Sequence, residues 1–238
     1  MAHHLILLSS TILVALLILS PPTAAASPVL DIDGNPLEAG SQYYVLTSGR
    51  GAAGRGGLTA EPDLYDGICP LYVGQYYSWT KQGSPVSFHP ADPSQTQVTL
   101  GEDVNIAFGP SYVCRNQGVW QLGTTTGEVF YLTTNGVIGN ASNKADWFKI
   151  EQAAFGPGSY KIVYCFATPV TDSSSQTQRS ENCQQFDSTA PGPPGSDWSW
   201  LSFVPIDDPL PFFGFVFKKF TSTSTFLNPK FTTTSSYS

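Results

Sequence analysis

Short apolar and aromatic runs recur along the chain, each closed off by Gly, Pro, Asn or Ser: Tyr43–Leu46, Val104–Phe108, Trp147–Ile150, Tyr160–Tyr164 and Phe213–Phe217. β-Branched and aromatic residues in short runs between turn formers predict strands buried on one face. In the last run Phe213, Phe215 and Phe217 alternate, so they share a face. No stretch of helical length carries convincing helical spacing. The nearest, Ala145–Ala154, is cut off by Gly156-Pro157-Gly158 and reads equally well as a strand. The pattern predicts an all-β domain.

A different pattern opens the chain. An apolar run from Leu5 to Leu19, broken only by Ser9, Ser10 and Thr11, leads through Pro21-Pro22 to Ala24-Ala25-Ala26. The fully apolar part is too short to span a bilayer, a double proline ends it, and no basic cluster follows, so residues 1–26 are expected to be a secretory signal peptide cleaved before Ser27. The remainder divides into one folded domain, residues 27–220, and a Ser/Thr-rich tail, residues 221–238, that is expected to be poorly ordered, as is Thr171–Ser180. An exported protein is expected in the secreted or vacuolar compartments.

Composition sharpens the strand reading. Hydrophobic residues at 41% argue against a disordered chain, while 22 Gly and 19 Pro are more turn punctuation than a helical protein tolerates. Against 18 acidic residues stand 11 basic ones with no basic patch, so nucleic acid and membrane surfaces are not expected partners. Four cysteines, Cys69, Cys114, Cys165 and Cys183, in an exported chain predict two disulfides. Three pairings are possible. In the loop-entropy model the sequential one would stabilise by roughly 3 to 4 kcal/mol per bridge. Zinc would need closer cysteine spacing or nearby histidines.

Several motifs invite a chemical reading and fail it. Gly49–Gly54 spells G-x-G-x-x-G after a strand, but Gly56-Gly57 and Pro62 replace the helix that a dinucleotide site requires. His89 is the single histidine after the signal, and no nucleophile elbow accompanies it. Asp207-Asp208 are adjacent and point different ways along an extended segment. Neither enzymatic activity nor a cofactor or metal is expected. Asn140-Ala141-Ser142 is an N-glycosylation sequon. Trp79, with Tyr76 and Tyr77, is expected to pack in the core or a turn, because the repeated Q-x-W pattern of sugar-binding trefoils is absent.

Taken together, Val29–Leu37 with Gly40 and Tyr43–Leu46, Cys69-Pro70-Leu71, Asp103–Ile106, Trp147–Ile150, Tyr160–Cys165 and Phe215–Lys219 resemble the plant Kunitz inhibitors of the soybean trypsin inhibitor type, which include the miraculin-like proteins. The resemblance implies a β-trefoil of twelve strands with pseudo-threefold symmetry and the sequential cysteine pairing. It also implies a monomer that inhibits serine proteases by laying a stiff, exposed loop in the protease cleft like a substrate. A loop held beforehand in its bound shape loses little entropy on docking.

In that family the loop lies between the first two cysteines. Counting back from the strand at Asn105–Phe108 places it at Asp92, Pro93, Ser94, Gln95 and Thr96, with Ser94 entering the protease's first specificity pocket. The chain has no Lys or Arg between Lys81 and Arg115, so this loop offers nothing to pair with trypsin's buried carboxylate. Small residues such as Ala91 and Ser94 suit subtilisin-like or elastase-like partners instead. Ala39 stands where inhibitory relatives carry a bracing asparagine, with Pro90 and Pro93 as substitutes that stiffen the backbone. Arg179-Ser180, in the span between the second cysteines, is a secondary candidate for a trypsin-directed bond. The alternative function is that of a non-inhibitory relative: miraculin-like, α-amylase-inhibiting, or a seed storage or defence protein.

Overall fold

The computed structural model describes residues 27–49, 55–63, 67–109, 114, 118–123, 130–154, 156–169, 179–203 and 214–221. The signal segment, the tail beyond residue 221, most of Thr171–Ser180 and Phe213 lie outside these. Among the described residues there are twelve strands: β1 (Gln42–Thr47), β2 (Leu58–Asp63), β3 (Gly67–Tyr76), β4 (Val86–Pro90), β5 (Asp103–Phe108), β6 (Val119–Leu122), β7 (Leu132–Gly136), β8 (Phe148–Gln152), β9 (Tyr160–Pro169), β10 (Arg179–Pro191), β11 (Trp198–Phe203) and β12 (Phe215–Lys219). The ambiguous Ala145–Ala154 stretch resolves into one 3-10 turn, Lys144–Asp146, followed by β8.

All pairings are antiparallel, and six of them close a ring: β1–β4, β4–β5, β5–β8, β8–β9, β9–β12 and β12–β1. The ring leaves no free barrel edge. The other strands form the hairpins β2–β3, β6–β7 and β10–β11. These join over one end, where β3 pairs with both β7 and β11 and a bridge links Tyr131 to Ser202. Each successive set of four strands thus gives its first and last to the barrel and its middle two to the cap. This is a β-trefoil.

The threefold character has a side-chain signature at the cap. Tyr72, Tyr131 and Trp200, one from each set, form a triangle of rings with centroids 5.3 to 6.3 Å apart. Inside the barrel, alternate residues point inward as the pleat requires: Tyr43 and Val45, Val86 and Phe88, Val104 and Ile106, Phe148 and Ile150, Tyr160 and Ile162, Phe215 and Phe217, all buried. Edge-to-face contacts such as Phe88 on Phe217 and Phe148 on Phe186 tie neighbouring sets together.

Both disulfides follow the sequential pairing, Cys69–Cys114 and Cys165–Cys183. The second joins residues directly opposite each other on the β9–β10 hairpin.

Candidate functional site

The β4–β5 connection, residues 91–102, carries the predicted loop, and its floor is a strip of chain from Leu37 to Gly40. Four consecutive backbone N–H groups of that strip are engaged. Leu37 donates to the Val29 carbonyl (2.8 Å), Glu38 to the Tyr43 hydroxyl (2.9 Å), Ala39 to the Thr96 carbonyl (2.9 Å) and Gly40 to the Phe88 carbonyl (2.8 Å). The Glu38 carboxylate accepts from Lys219 Nζ (2.8 Å) and the Ser41 hydroxyl (2.9 Å), and these hydrogen bonds hold it below the usual carboxylate range. A strip so tied has little freedom to follow a moving loop.

The loop is anchored at both ends, to β5 on the outgoing side and to this floor on the return side. On the outgoing side the Ala91 N–H donates to the Asp103 carbonyl at 2.9 Å. On the return side Gln97 bridges Glu38, and buried Val98 exchanges backbone bonds with Leu37 and Val29. Between the anchors Asp92, Pro93, Ser94 and Thr96 are exposed and Gln95 is half-buried.

The tip is a tight turn. Gln95 N–H donates to the Asp92 carbonyl (3.1 Å), which places Pro93 at the second position, where its fixed φ suits a type I turn. The Asp92 side chain closes the turn again from outside, with Oδ1 accepting from the Ser94 N–H (2.9 Å) and the Ser94 hydroxyl (2.7 Å). Those bonds to the charged form lower the Asp92 pKa. Preorganisation at this tip therefore comes from the Asp92–Pro93–Ser94 turn. Ser94 occupies the third position of a chain reversal, and its hydroxyl is already committed.

Ala39 has no side chain with which to brace the loop, yet its position adjoins it, and a main-chain bond to Thr96 stands in for the missing asparagine. Such side-chain bracing does occur elsewhere. Asn105, fully buried on β5, accepts from the Gly139 N–H (2.8 Å) and donates to the Asp146 carbonyl (2.8 Å). Asp146, equally buried, accepts from Val137 N–H, Gln121 Nε2 and Asn143 Nδ2. Sequence reasoning missed this hub, because its members are scattered over four elements. The turn that it holds exposes Val137 and Ile138 and leads into the Asn140 sequon, whose Ala141 and Ser142 are exposed.

The secondary candidate lies in a different local setting from the one expected. Arg179-Ser180 is not part of an open loop: both residues begin β10 and pair with Pro169 and Thr168. The disulfide four residues further along clamps the hairpin, and the ladder extends outward from it. Arg55, once removed from its glycine neighbours, is committed as well, with its guanidinium 5.4 Å above the Tyr77 ring and Nη1 donating to the Ser199 hydroxyl. Arg50 and residues 51–54 of the glycine motif lie outside the described residues. The aromatic expectation is also corrected, since Trp79 is 69% exposed and only Tyr76 of its group is half-buried.

A loop on a β-trefoil with both disulfides in the sequential pairing is the setting in which the sequence profile of the legume Kunitz family, described as trypsin and protease inhibitor, matches residues 29–188. The chain belongs to that family. Miraculin of Synsepalum dulcificum is 36% identical over 151 residues, covering 60% of this chain and 67% of its own. Kunitz trypsin inhibitor 5 of Arabidopsis thaliana is 37% identical, covering 60% of this chain and 68% of its own. Among solved structures, the bifunctional α-amylase/subtilisin inhibitor of Oryza sativa superposes with a TM-score of 0.57 at 27% identity, covering 82% of this chain and 99% of its own.

Proposed function

We propose that this Kunitz-family chain is a serine-protease inhibitor that docks through the β4–β5 loop and is directed at proteases with a small or uncharged specificity pocket, of subtilisin or elastase type. The observation that carries the reading is the anchoring of residues 91–97 at both ends, to Asp103 of β5 on the outgoing side and, on the return side, to the Leu37–Gly40 strip, whose backbone donors are all engaged. Membership in a family of protease inhibitors and a solved relative named as a subtilisin inhibitor support it. The absence of Lys and Arg from the loop argues against trypsin, whose pocket would keep an unpaired carboxylate.

The closed Asp92–Gln95 turn favours a second reading, a non-inhibitory relative, because a protease cleft binds its ligand as an extended strand. Titration of the refolded protein against trypsin, chymotrypsin, elastase and subtilisin decides between them. Inhibition of subtilisin or elastase with trypsin untouched is expected. Ser94→Arg is expected to gain trypsin affinity on the order of 100-fold, since pairing a pocket charge gives about 2 to 5 kcal/mol. If the parent protein inhibits none of the four and the arginine variant inhibits none either, the inhibitor reading of this loop is lost.

The same proposal includes export with signal cleavage before Ser27, secreted or vacuolar residence, a monomeric state and a glycan on Asn140. The exposure of Ala141 and Ser142 beside a half-buried Asn140 supports the last. N-terminal sequencing, gel filtration and the mass lost on enzymatic deglycosylation test these, with Asn140→Gln as the control.

A further inference from the structure

The connection between β3 and β4 reverses at Ser78–Lys81, where the Lys81 N–H donates to the Ser78 carbonyl at 3.0 Å, and it carries Trp79 outward. Trp79 is 69% exposed and nearby Tyr77 42%. Leaving an indole in water forgoes roughly 25 cal/mol for each Å² it could bury. The turn that does so is nonetheless rigid. Gly57 N–H donates to the Lys81 carbonyl (2.8 Å) and Tyr77 N–H to the Asp197 carbonyl (3.0 Å), while Lys81 and Asp197 form an ion pair. Gly56 lies so close beneath that a Cβ there would come within 2.4 Å of the Ser78 carbonyl oxygen.

What surrounds the indole defines its ligand. Lys81 sits 4.5 Å above the Tyr76 ring and Arg55 5.4 Å above the Tyr77 ring. Facing these two cations are two carboxylates, Asp197 and Glu61, the latter accepting from the Tyr76 hydroxyl (3.0 Å). The patch is therefore neutral within a chain of formal charge −7, and Ser78 and Thr80 add hydroxyls beside the tryptophan. A protein hot spot centres its aromatic in a desolvated surround. Here the surround is polar, exposed and charge-balanced.

We propose that this patch binds a neutral saccharide, with one pyranose ring stacked by its C–H face on Trp79 and its hydroxyl rim met by Thr80, Lys81 and Asp197. A sugar ring has the same two-part surface as the patch, apolar on the face and polar at the rim, and it brings no charge to be compensated. The patch and the proposed inhibitory loop lie at opposite ends of β4, so occupancy of one leaves the other open.

The test is titration of the intact protein with cellohexaose, maltohexaose and chitohexaose, followed by tryptophan fluorescence and calorimetry. Saturable binding of at least one of the three is expected. Trp79→Ala should weaken it about tenfold or more, in line with the energy of aromatic contacts. Trp79→Phe should retain part of the affinity, and Ser94→Arg should leave it unchanged. Because the side chain is exposed, the unfolding midpoint of Trp79→Ala should match the parent; should that variant misfold, Thr80→Ala and Asp197→Ala read the same rim. No binding of any of the three sugars overturns the proposal. So does binding indifferent to Trp79 or to the rim variants, or a loss of protease affinity in Trp79→Ala without any saccharide response.

Discussion

At the scale of single residues, two buried or half-buried polar groups do work that no motif announces. Asp146 gathers three donors onto its carboxylate and a fourth onto its backbone carbonyl. Replacing it by alanine would strand the three donors bound to the carboxylate, at about 1 to 3 kcal/mol for each one left buried without a partner, and leave the backbone carbonyl in place. We expect Asp146→Ala to lower stability by about 2 to 4 kcal/mol, read by urea unfolding, and to release the Val137–Gly139 turn. His89 is half-buried on β4, with Nε2 2.9 Å from the Ser87 hydroxyl, and burial lowers its pKa. The folded state thus disfavours the imidazolium, whereas the unfolded chain accepts it near pH 6.5. The stability from keeping His89 neutral is present above that pH and is lost as the pH falls through the lower folded value. Thermal midpoints measured between pH 7.5 and 5 should fall for the parent and fall less for His89→Gln; identical slopes would remove His89 from the account.

At the scale of elements, the β9–β10 hairpin shows how a disulfide decides what a loop can do. Cys165 and Cys183 face each other in the ladder, and beyond them the chain remains paired as far as Pro169 and Arg179. Arg179→Ala should therefore leave trypsin behaviour unchanged, measured with the same titration as for Ser94→Arg. The inner half of β9 belongs to the barrel through Lys149–Val163 and Phe215–Tyr160. Removing the bridge with Cys165→Ala and Cys183→Ala should cost no more than about 3 kcal/mol. Amide exchange should then speed up in β10 while the amides of Ile150 and Ile162 stay protected. The two expected inhibitor features separate cleanly at this scale: the β4–β5 loop is exposed and anchored, and the Arg179 segment is sheet.

At the scale of the whole molecule, closure depends on β12, which bonds to β1 on one side and β9 on the other. Phe217 sits at that seam, fully buried and edge-to-face with Phe88. Phe217→Ala should cost about 3 to 5 kcal/mol, measured by denaturant unfolding. Five strand segments were legible from local pattern because β-branched and aromatic runs between turn formers have few other solutions. The trefoil rested on a family resemblance, since no internal repeat survives in the sequence. The structure explains why: corresponding core positions need only be apolar and of fitting volume, as with Val45, Ile106 and Ile162 on β1, β5 and β9, so the symmetry constrains shape and leaves residue identity free. The candidate loop was placed by counting back from β5, but its turn and floor were not legible, because Leu37–Gly40 meets it only in the folded chain. Trp79 was misread because turn and core aromatics look alike until a neighbour does or does not cover them.

The sequence by itself determined the class of structure, the cysteines available for bridging, the absence of a basic residue from the loop and the punctuation of the strands, all of which are local or compositional properties. Only the tertiary structure decided that Ala39 holds Thr96 by its backbone, that Ser94 is tied into a turn by Asp92, that Arg179 is locked in a ladder and that Trp79 faces solvent. Except for the Asp92 turn, which is local, each depends on which other segments the fold brings within a few ångströms. Hydrogen bonding and burial are decided at that range, and no pattern along a single segment encodes it.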